Sequence, residues 1–320
     1  MAVVVGIDEA GYGPLLGPLV VTGVAFQVPD EAAAECLWQR LQNSITKRIA
    51  KRDVRLPIVD SKKLFRRGDG LKALERSALV MLSAADHRPR RTVELMDQLA
   101  PHALGDLNDY PWYQDFDRGL PVANDAADIA VRANAVRRDM ADGGVRLWGV
   151  FGEPLLEGHF NRRVGATRNK AVVSLGLVLR VVDRVVRAAD GEPVRALIDR
   201  QGGRIRYRNS LMTAFGGCEL HIDAESAERS AYRLLGGKGL LTIEFVTSGE
   251  EHHLPVALAS IFSKYIRELF MMALNRFWCE RVEGLNPTAG YYQDGQRFLG
   301  QIEAAVEREG VSRTLLVRSR

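Results

Sequence analysis

Three short runs of mostly β-branched and apolar residues in this chain each stop at carboxylates. Residues 2–7 run into Asp8-Glu9, residues 194–198 into Asp199, and residues 240–246 toward Glu250-Glu251. Short apolar runs with such abrupt ends predict buried strands. The end of a central strand is where an α/β protein places its site. Carboxylates gathered there repel one another and raise each other's pKa. Mg²⁺ or Mn²⁺ resolves that conflict, since both are hard cations that accept carboxylate oxygen and retain water. Two such ions can clamp the attacking water and the leaving oxygen of a phosphodiester. One strand-end acid alone reads as a solvated surface residue; three strand ends together read as a site.

The rest of the chain supplies the scaffold. A Gly-rich turn, Gly11-Tyr12-Gly13-Pro14 followed by Gly17-Pro18, leads to a second strand at 19–26, predicting an antiparallel hairpin. Neighbours on a regular strand face opposite ways. Asp8 and Glu9 are therefore expected to share a site only if the strand breaks there, and Gly11 and Gly13 offer a backbone able to break. Asp30 is expected to cap a helix whose apolar face carries Leu37, Leu41 and Ile45, with Trp38 beside it. Residues 57–65 predict a loop leading into a helix at 71–82. Residues 168–188 predict a helix apolar on nearly every side, with a narrow polar stripe at Arg180, Asp183, Arg184 and Arg187. Such a helix packs against a sheet. A further helix is expected at 256–277.

Residues 88–144 differ in character. They hold Pro89, Pro101, Pro111 and Pro121, the aromatics Tyr110, Trp112, Tyr113 and Phe116, and a helix pattern at 125–141. They read as an insertion or subdomain, after which a strand resumes at 145–151. Strands alternating with long helices predict an α/β or α+β layered fold.

Composition narrows the class. With 46% hydrophobic and 26% charged residues, the chain is neither disordered nor fibrous. Its net charge of +4 is a slight pointer to a polyanionic partner. Cys36, Cys218 and Cys279 lie far apart without metal spacing. That fits a reducing, cytoplasmic setting and argues against a zinc site or a disulfide framework. The first apolar run has no charged leader and is interrupted at Asp8, so no signal peptide is expected. No apolar stretch reaches membrane-span length. The chain has 36 Arg but only 8 Lys. Lys differs from Arg in hydration and shape, so the places that keep it merit notice. Lys62, Lys63, Lys170 and Lys264 are four of them.

The order of these features resembles a known family. Gly6-Ile7-Asp8-Glu9-Ala10-Gly11-Tyr12-Gly13-Pro14-Leu15-Leu16-Gly17-Pro18 is similar to the opening motif of type 2 ribonucleases H, the ribonuclease HII and HIII family. Asp60-Ser61-Lys62-Lys63-Leu64, Leu197-Ile198-Asp199, Ala259-Ser260-Ile261-Phe262-Ser263-Lys264 with Arg267-Glu268, and Gly290-Tyr291 resemble its later motifs, in the same order. The resemblance implies a ribonuclease H-like fold: a central mixed sheet flanked by helices, with a helical C-terminal part. It implies one catalytic domain over residues 1–320, with the inserted segment at 88–144. It further implies Mg²⁺- or Mn²⁺-dependent cleavage of the RNA strand of RNA–DNA hybrids. The metal ligands carried over are Asp8, Glu9, Asp199 and Glu250, with Glu251 as a possible substitute for the last. The substrate contacts carried over are Gly11, Tyr12, Gly13, Ser61, Lys62, Lys63, Lys264 and Tyr291. Asn169 is expected either to hydrogen-bond a backbone group or a 2′-hydroxyl of the substrate or, equally, to serve at a helix N-terminus.

The chain departs from both branches of the family. Ribonuclease HII has Gly-Arg-Gly where Gly11-Tyr12-Gly13 stands, and a Glu at position 250 is similar to ribonuclease HIII. The first motif begins at residue 6, so the N-terminal domain of ribonuclease HIII is not expected here. Lys62 and Lys63 are expected at a phosphate, and Lys264 at the rim of the site. Arg204, Arg206 and Arg208 would share one face of an extended segment, as a phosphate stripe or a solvated edge. The 110–116 aromatics are expected to form local core in preference to stacking on bases. His252-His253 carry no expected role. Two other readings stay open: a binding protein that has lost catalysis, and a nuclease acting on structured DNA.

Overall fold

The computed structural model describes residues 1–319 apart from 51, 68, 237 and 238. The strands of its main sheet are β1 (Ala2–Ala10), β2 (Leu19–Val28), β3 (Arg146–Leu155), β4 (Val194–Asp199), β5 (Glu219–Glu225), β6 (Arg229–Gly236) and β7 (Gly239–Val246). They form one sheet in the order β3-β2-β1-β4-β7-β6-β5. β1 and β2 make the expected antiparallel hairpin, and β3 joins β2 antiparallel. β4 pairs parallel with β1, and β7 parallel with β4. β6 and β5 then extend the sheet as an antiparallel meander. The result is the mixed sheet flanked by helices expected of a ribonuclease H-like fold.

Ten helices matter to the site and its support: α1 (Ser61–Arg67), α2 (Leu71–Ala84), α3 (Ala126–Asp142), α4 (Glu157–Thr167), α5 (Lys170–Ala189), α6 (Arg208–Ala214), α7 (Gly249–His252), α8 (Leu254–Cys279), α9 (Tyr292–Arg308) and α10 (Arg313–Leu316). The alternation of β1 sorts them into two layers. Val3, Val5 and Ile7 share a core with Val178, Val181, Val182 and Val185 of α5. Val4 shares the opposite core with Val256, Ala257 and Ile261 of α8. Full burial of one such aliphatic side chain contributes about 1.5–3 kcal/mol. Gly6 faces α8 so closely that a Cβ there would lie 2.1 Å from Pro255 C and Val256 N. Only glycine lets the first turn of α8 close onto the strand just ahead of Asp8.

Three local expectations are corrected. The helix expected after Asp30 is broken into a 3₁₀ turn (Asp30–Ala32) and a short helix (Leu37–Arg40), and Ile45 pairs with Leu56 in a two-stranded ladder. Tertiary hydrogen bonds outcompete the helix ladder here. The Asp139 carboxylate of α3 accepts from Ser44 N at 2.9 Å, Ser44 Oγ at 2.7 Å and Asn43 Nδ2 at 3.0 Å. Leu37, Leu41 and Ile45 are buried nonetheless. Residues 61–65, expected in a loop, open α1, where Asp60 Oδ1 caps the helix by accepting from Lys63 N at 2.8 Å. Arg208, expected on an extended stripe with Arg204 and Arg206, starts α6 instead.

The 110–116 aromatics are core, and the core is shared with α8. Phe116 stacks on Phe270 at 4.6 Å between centroids, and Tyr113 meets the same ring edge-on at 5.0 Å. α2 ties down the same inserted stretch. The buried Glu75 carboxylate accepts from the amides of Val122, Ala123 and Asn124 at 2.6–3.0 Å, and from the Tyr265 hydroxyl at 3.1 Å. Among the described residues no helix is long and apolar enough to cross a membrane.

Candidate active site

Because β1, β4 and β7 run parallel, their C-terminal ends open on the same edge of the sheet. Asp8 and Glu9 stand near the end of β1, and Asp199 ends β4. Glu250 lies just beyond β7, on the turn of helix α7. All four line one cleft of about 530 Å³. Gly11, Tyr12, Gly13, Ser61, Lys62, Lys264 and Tyr291 line it too.

β1 does not break between Asp8 and Glu9, contrary to expectation. Its ladder with β2 continues through Asp8↔Thr22 and Glu9↔Val21 to Ala10↔Val20. The opening comes from the other side, where the paired register of β1 with β4 ends at Ile7↔Ile198. Past that point Glu9 reaches over the end of β4, where its Oε2 accepts from Gln201 Nε2 at 3.0 Å.

Asp8 is held from three directions. Its Oδ1 accepts from Glu9 N at 2.7 Å, and its carbonyl accepts from the Ser263 hydroxyl at 2.9 Å. Ser263 is itself hydrogen-bonded to Thr22 of β2 at 2.6 Å. Ser260 hydrogen-bonds the Asp8 carboxyl and lies 2.9 Å from Ser61 Oγ. Asp199 Oδ1 accepts from Gly249 N at 2.7 Å.

Burial and crowding set the electrostatics. Desolvation, reinforced by the charges of Glu9 and Asp199, pushes Asp8 well above the usual carboxylate range. Burial likewise raises Asp199 to about 7, with Glu250 and Glu9 adding to it against the Gly249 amide. Burial raises Glu9, and Gln201 and Lys62 oppose it. Glu250 Oε2 is buried without a hydrogen-bond partner.

Crowded carboxylates that favour protonation, with one oxygen left unpartnered, are a donor set suited to a hard divalent cation. Among the described residues, no three His, Cys, Asp or Glu side chains already stand where they could hold a metal ion. The donor chemistry fits such an ion, and side-chain rotation would have to complete the coordination.

The rim combines charge and rings. Lys264 pairs with Glu268 and lies 4.9 Å from the Phe65 centroid. Lys170 sits 5.0 Å from the Tyr12 centroid. Tyr291, half exposed, lies over the Arg267 guanidinium, which is buried behind the cleft wall 5.9 Å from the tyrosine ring centroid.

Some expected site residues lie elsewhere. Asn169 caps α5, its Oδ1 accepting from Ala171 N at 2.9 Å, and is not in the cleft wall. Lys63 turns outward to pair with Glu251, and both are half exposed. That pairing leaves Glu250, and not Glu251, in the cleft. His252 and His253 are not in its wall. Sequence reasoning missed Gln201, which follows the third carboxylate by two residues, and Phe65 and Arg66, and it gave no role to Glu268 within its motif; the last three line the cleft. Ser260 was visible within its motif, but its contact with Asp8 depends on how α8 lies on β1.

No family model matches the chain, and no curated protein matches it. Distant likenesses appear among solved structures. One is Bst-RNase HIII in complex with Mn²⁺, at 15% identity and a TM-score of 0.47; the alignment covers 99% of this chain and 66% of that one. Another is a chain of the PCNA:RNase HII complex from Archaeoglobus fulgidus, at 16% identity and a TM-score of 0.42, covering 99% and 94%. A third is ribonuclease H2 from Pyrococcus horikoshii OT3, at 14% identity and a TM-score of 0.42, covering 98% and 92%. These are what the chain is similar to in fold.

Proposed function

We propose that the chain is an endonuclease that hydrolyses the RNA strand of RNA–DNA hybrids. Residues 1–320 act as one catalytic domain with 88–144 as an insertion, working in the cytoplasm. The observation that carries this reading is the meeting of Asp8, Glu9, Asp199 and Glu250 at one sheet edge, in a cleft whose wall also holds Lys62, Lys264 and Arg66. Those four carboxylates would hold Mg²⁺ or Mn²⁺. When bound, the ions supply positive charge for water attack and for the leaving oxygen.

The chain's own groups do the remaining work. Ser260 and Ser263 hold Asp8, and Gln201 holds Glu9, so the carboxylates stay on the cleft side. Lys62 and Arg66 neutralise phosphate at the cleft wall. The turn at Gly11, Tyr12 and Gly13 offers backbone amides to a 2′-hydroxyl, the group that tells RNA from DNA. Tyr291 is exposed enough to stack on the substrate.

A binding protein without catalysis gains nothing from clustering unpaired acids beside a polyanion. The deciding experiment offers hybrid, duplex DNA and single-stranded RNA with Mg²⁺, with Mn²⁺ and with EDTA. Cutting of the hybrid that disappears in EDTA is expected. Cutting confined to duplex DNA means a structured-DNA nuclease, and binding without cutting under every condition means a lost catalyst.

A further inference from the structure

Residues 312–319 lie under the Gly-rich turn, stitched down by α4. Asn161 Nδ2 donates to Thr314 O at 2.8 Å and to Val317 O at 2.7 Å, and Asn161 Oδ1 accepts from Ser319 N at 2.6 Å. The Arg318 amide donates to Leu15 O at 2.9 Å. Its side chain is 3% exposed and lies 3.9 Å from the Phe160 centroid. Its guanidinium then donates to two successive backbone carbonyls of the turn, Gly11 O and Tyr12 O.

A buried guanidinium is costly unless its donors are used. Here it is committed to a turn that lines the candidate active site. Arg267 holds the same turn further along, donating to Leu16 O at 3.0 Å. Gly11 has φ +85°, and a Cβ on it would lie 2.6 Å from Arg267 Nε, so the turn rests directly on these two side chains. The peptides at Gly11-Tyr12 and Tyr12-Gly13 are trans. In a planar trans peptide the N–H points opposite to the C=O. Carbonyls drawn down onto Arg318 therefore leave the Tyr12 and Gly13 amides directed away from it.

We propose that Arg318 is a positioning residue for RNA recognition: it pins the Gly11 and Tyr12 carbonyls so that the Tyr12 and Gly13 amides face the cleft and donate to a ribose 2′-hydroxyl. The inference rests on the reading of the cleft as a hybrid nuclease. It assigns to a residue 306 positions from Tyr12 the geometry of the turn beside Asp8. A planar fork reaches two carbonyls at once; a lysine ammonium is a point charge on a flexible stem.

The test compares wild type, Arg318→Lys and Arg318→Ala for binding to an RNA–DNA hybrid and to duplex DNA of the same sequence, in EDTA so that nothing is cut. Arg318→Lys is expected to weaken hybrid binding by about tenfold, the loss of one well-made hydrogen bond, while duplex DNA binding stays the same. ¹⁵N-glycine labelling adds a second readout: the Gly13 amide should shift on hybrid addition in wild type and not in Arg318→Lys. An unchanged hybrid-to-DNA ratio in a folded Arg318→Lys overturns the proposal. So does an equal loss on both substrates, which would make Arg318 mere support. Arg318→Lys keeps the question open to measurement if Arg318→Ala fails to fold. A wild type with no preference for hybrid sinks the nuclease reading instead, before any variant is considered.

Discussion

The Gly249 amide donates to Asp199 Oδ1 at 2.7 Å, and this bond turns the start of α7 back over the end of β4. Ser248 just before it adopts a left-handed conformation at φ 53°, which makes the reversal. Glu250 is thereby placed in the cleft, while Glu251 is carried outward to Lys63. Two adjacent acids thus take opposite directions, one held by this turn into the cleft and the other paired outward with Lys63.

Glu250→Gln is therefore expected to abolish hybrid cleavage, and Glu251→Gln to leave it within a few-fold of wild type. The Lys63–Glu251 pair is exposed, so its loss should leave the urea unfolding curve essentially unchanged. Steady-state cleavage assays on the two variants decide it; a larger loss in Glu251→Gln reverses the assignment.

Asp8→Asn and Asp199→Asn should each lower turnover by several powers of ten, on the order of 4 kcal/mol or more, while hybrid binding survives. Binding draws mainly on Lys and Arg contacts to phosphate, which these substitutions leave in place. Single-turnover kinetics alongside binding titrations measure the two separately. Near-normal turnover in either variant removes that residue from the site.

Glu157 supplies a pH dependence away from the cleft acids. Burial raises it from 4.5 to about 7, although the Tyr113 hydroxyl donates to it at 2.8 Å and Gly17 N at 3.1 Å. A folded state that keeps a proton the unfolded chain releases is most favoured below the unfolded pKa. That contribution is lost as pH rises through the folded value. Wild type should therefore lose stability between pH 4.5 and about 7 relative to Glu157→Gln, by at most about 3 kcal/mol. Urea unfolding of both proteins across pH 5–8 gives the difference directly, and parallel curves would show that Glu157 does not titrate there.

By the motif resemblance Tyr12 takes the place of an Arg, and its ring packs against the sheet core beneath Lys170. A phenol lacks the charge and forked donors of guanidinium. The chain is expected to cut runs of ribonucleotides in a hybrid better than a single ribonucleotide embedded in duplex DNA. Cleavage of the two substrates at equal concentration tests this, and equal or better cutting of the single ribonucleotide refutes it.

Much of this protein is legible in its residue order. The apolar runs ahead of Asp8, Asp199 and Glu250 specify strands by composition alone, and the apolar face of residues 170–189 specifies a helix against a sheet. These are local signals, in which each residue reports its own burial. Other features depend on elements brought together from far along the chain. Strand direction is one: only the parallel pairing of β1, β4 and β7 puts three strand ends on one edge. Asp139 ending a helix near Ser44, Gln201 holding Glu9, and Arg318 gripping Gly11 are others. Each is a hydrogen bond between groups 95 to 307 residues apart. No local propensity encodes such a bond, because the partner exists only once the layers have closed.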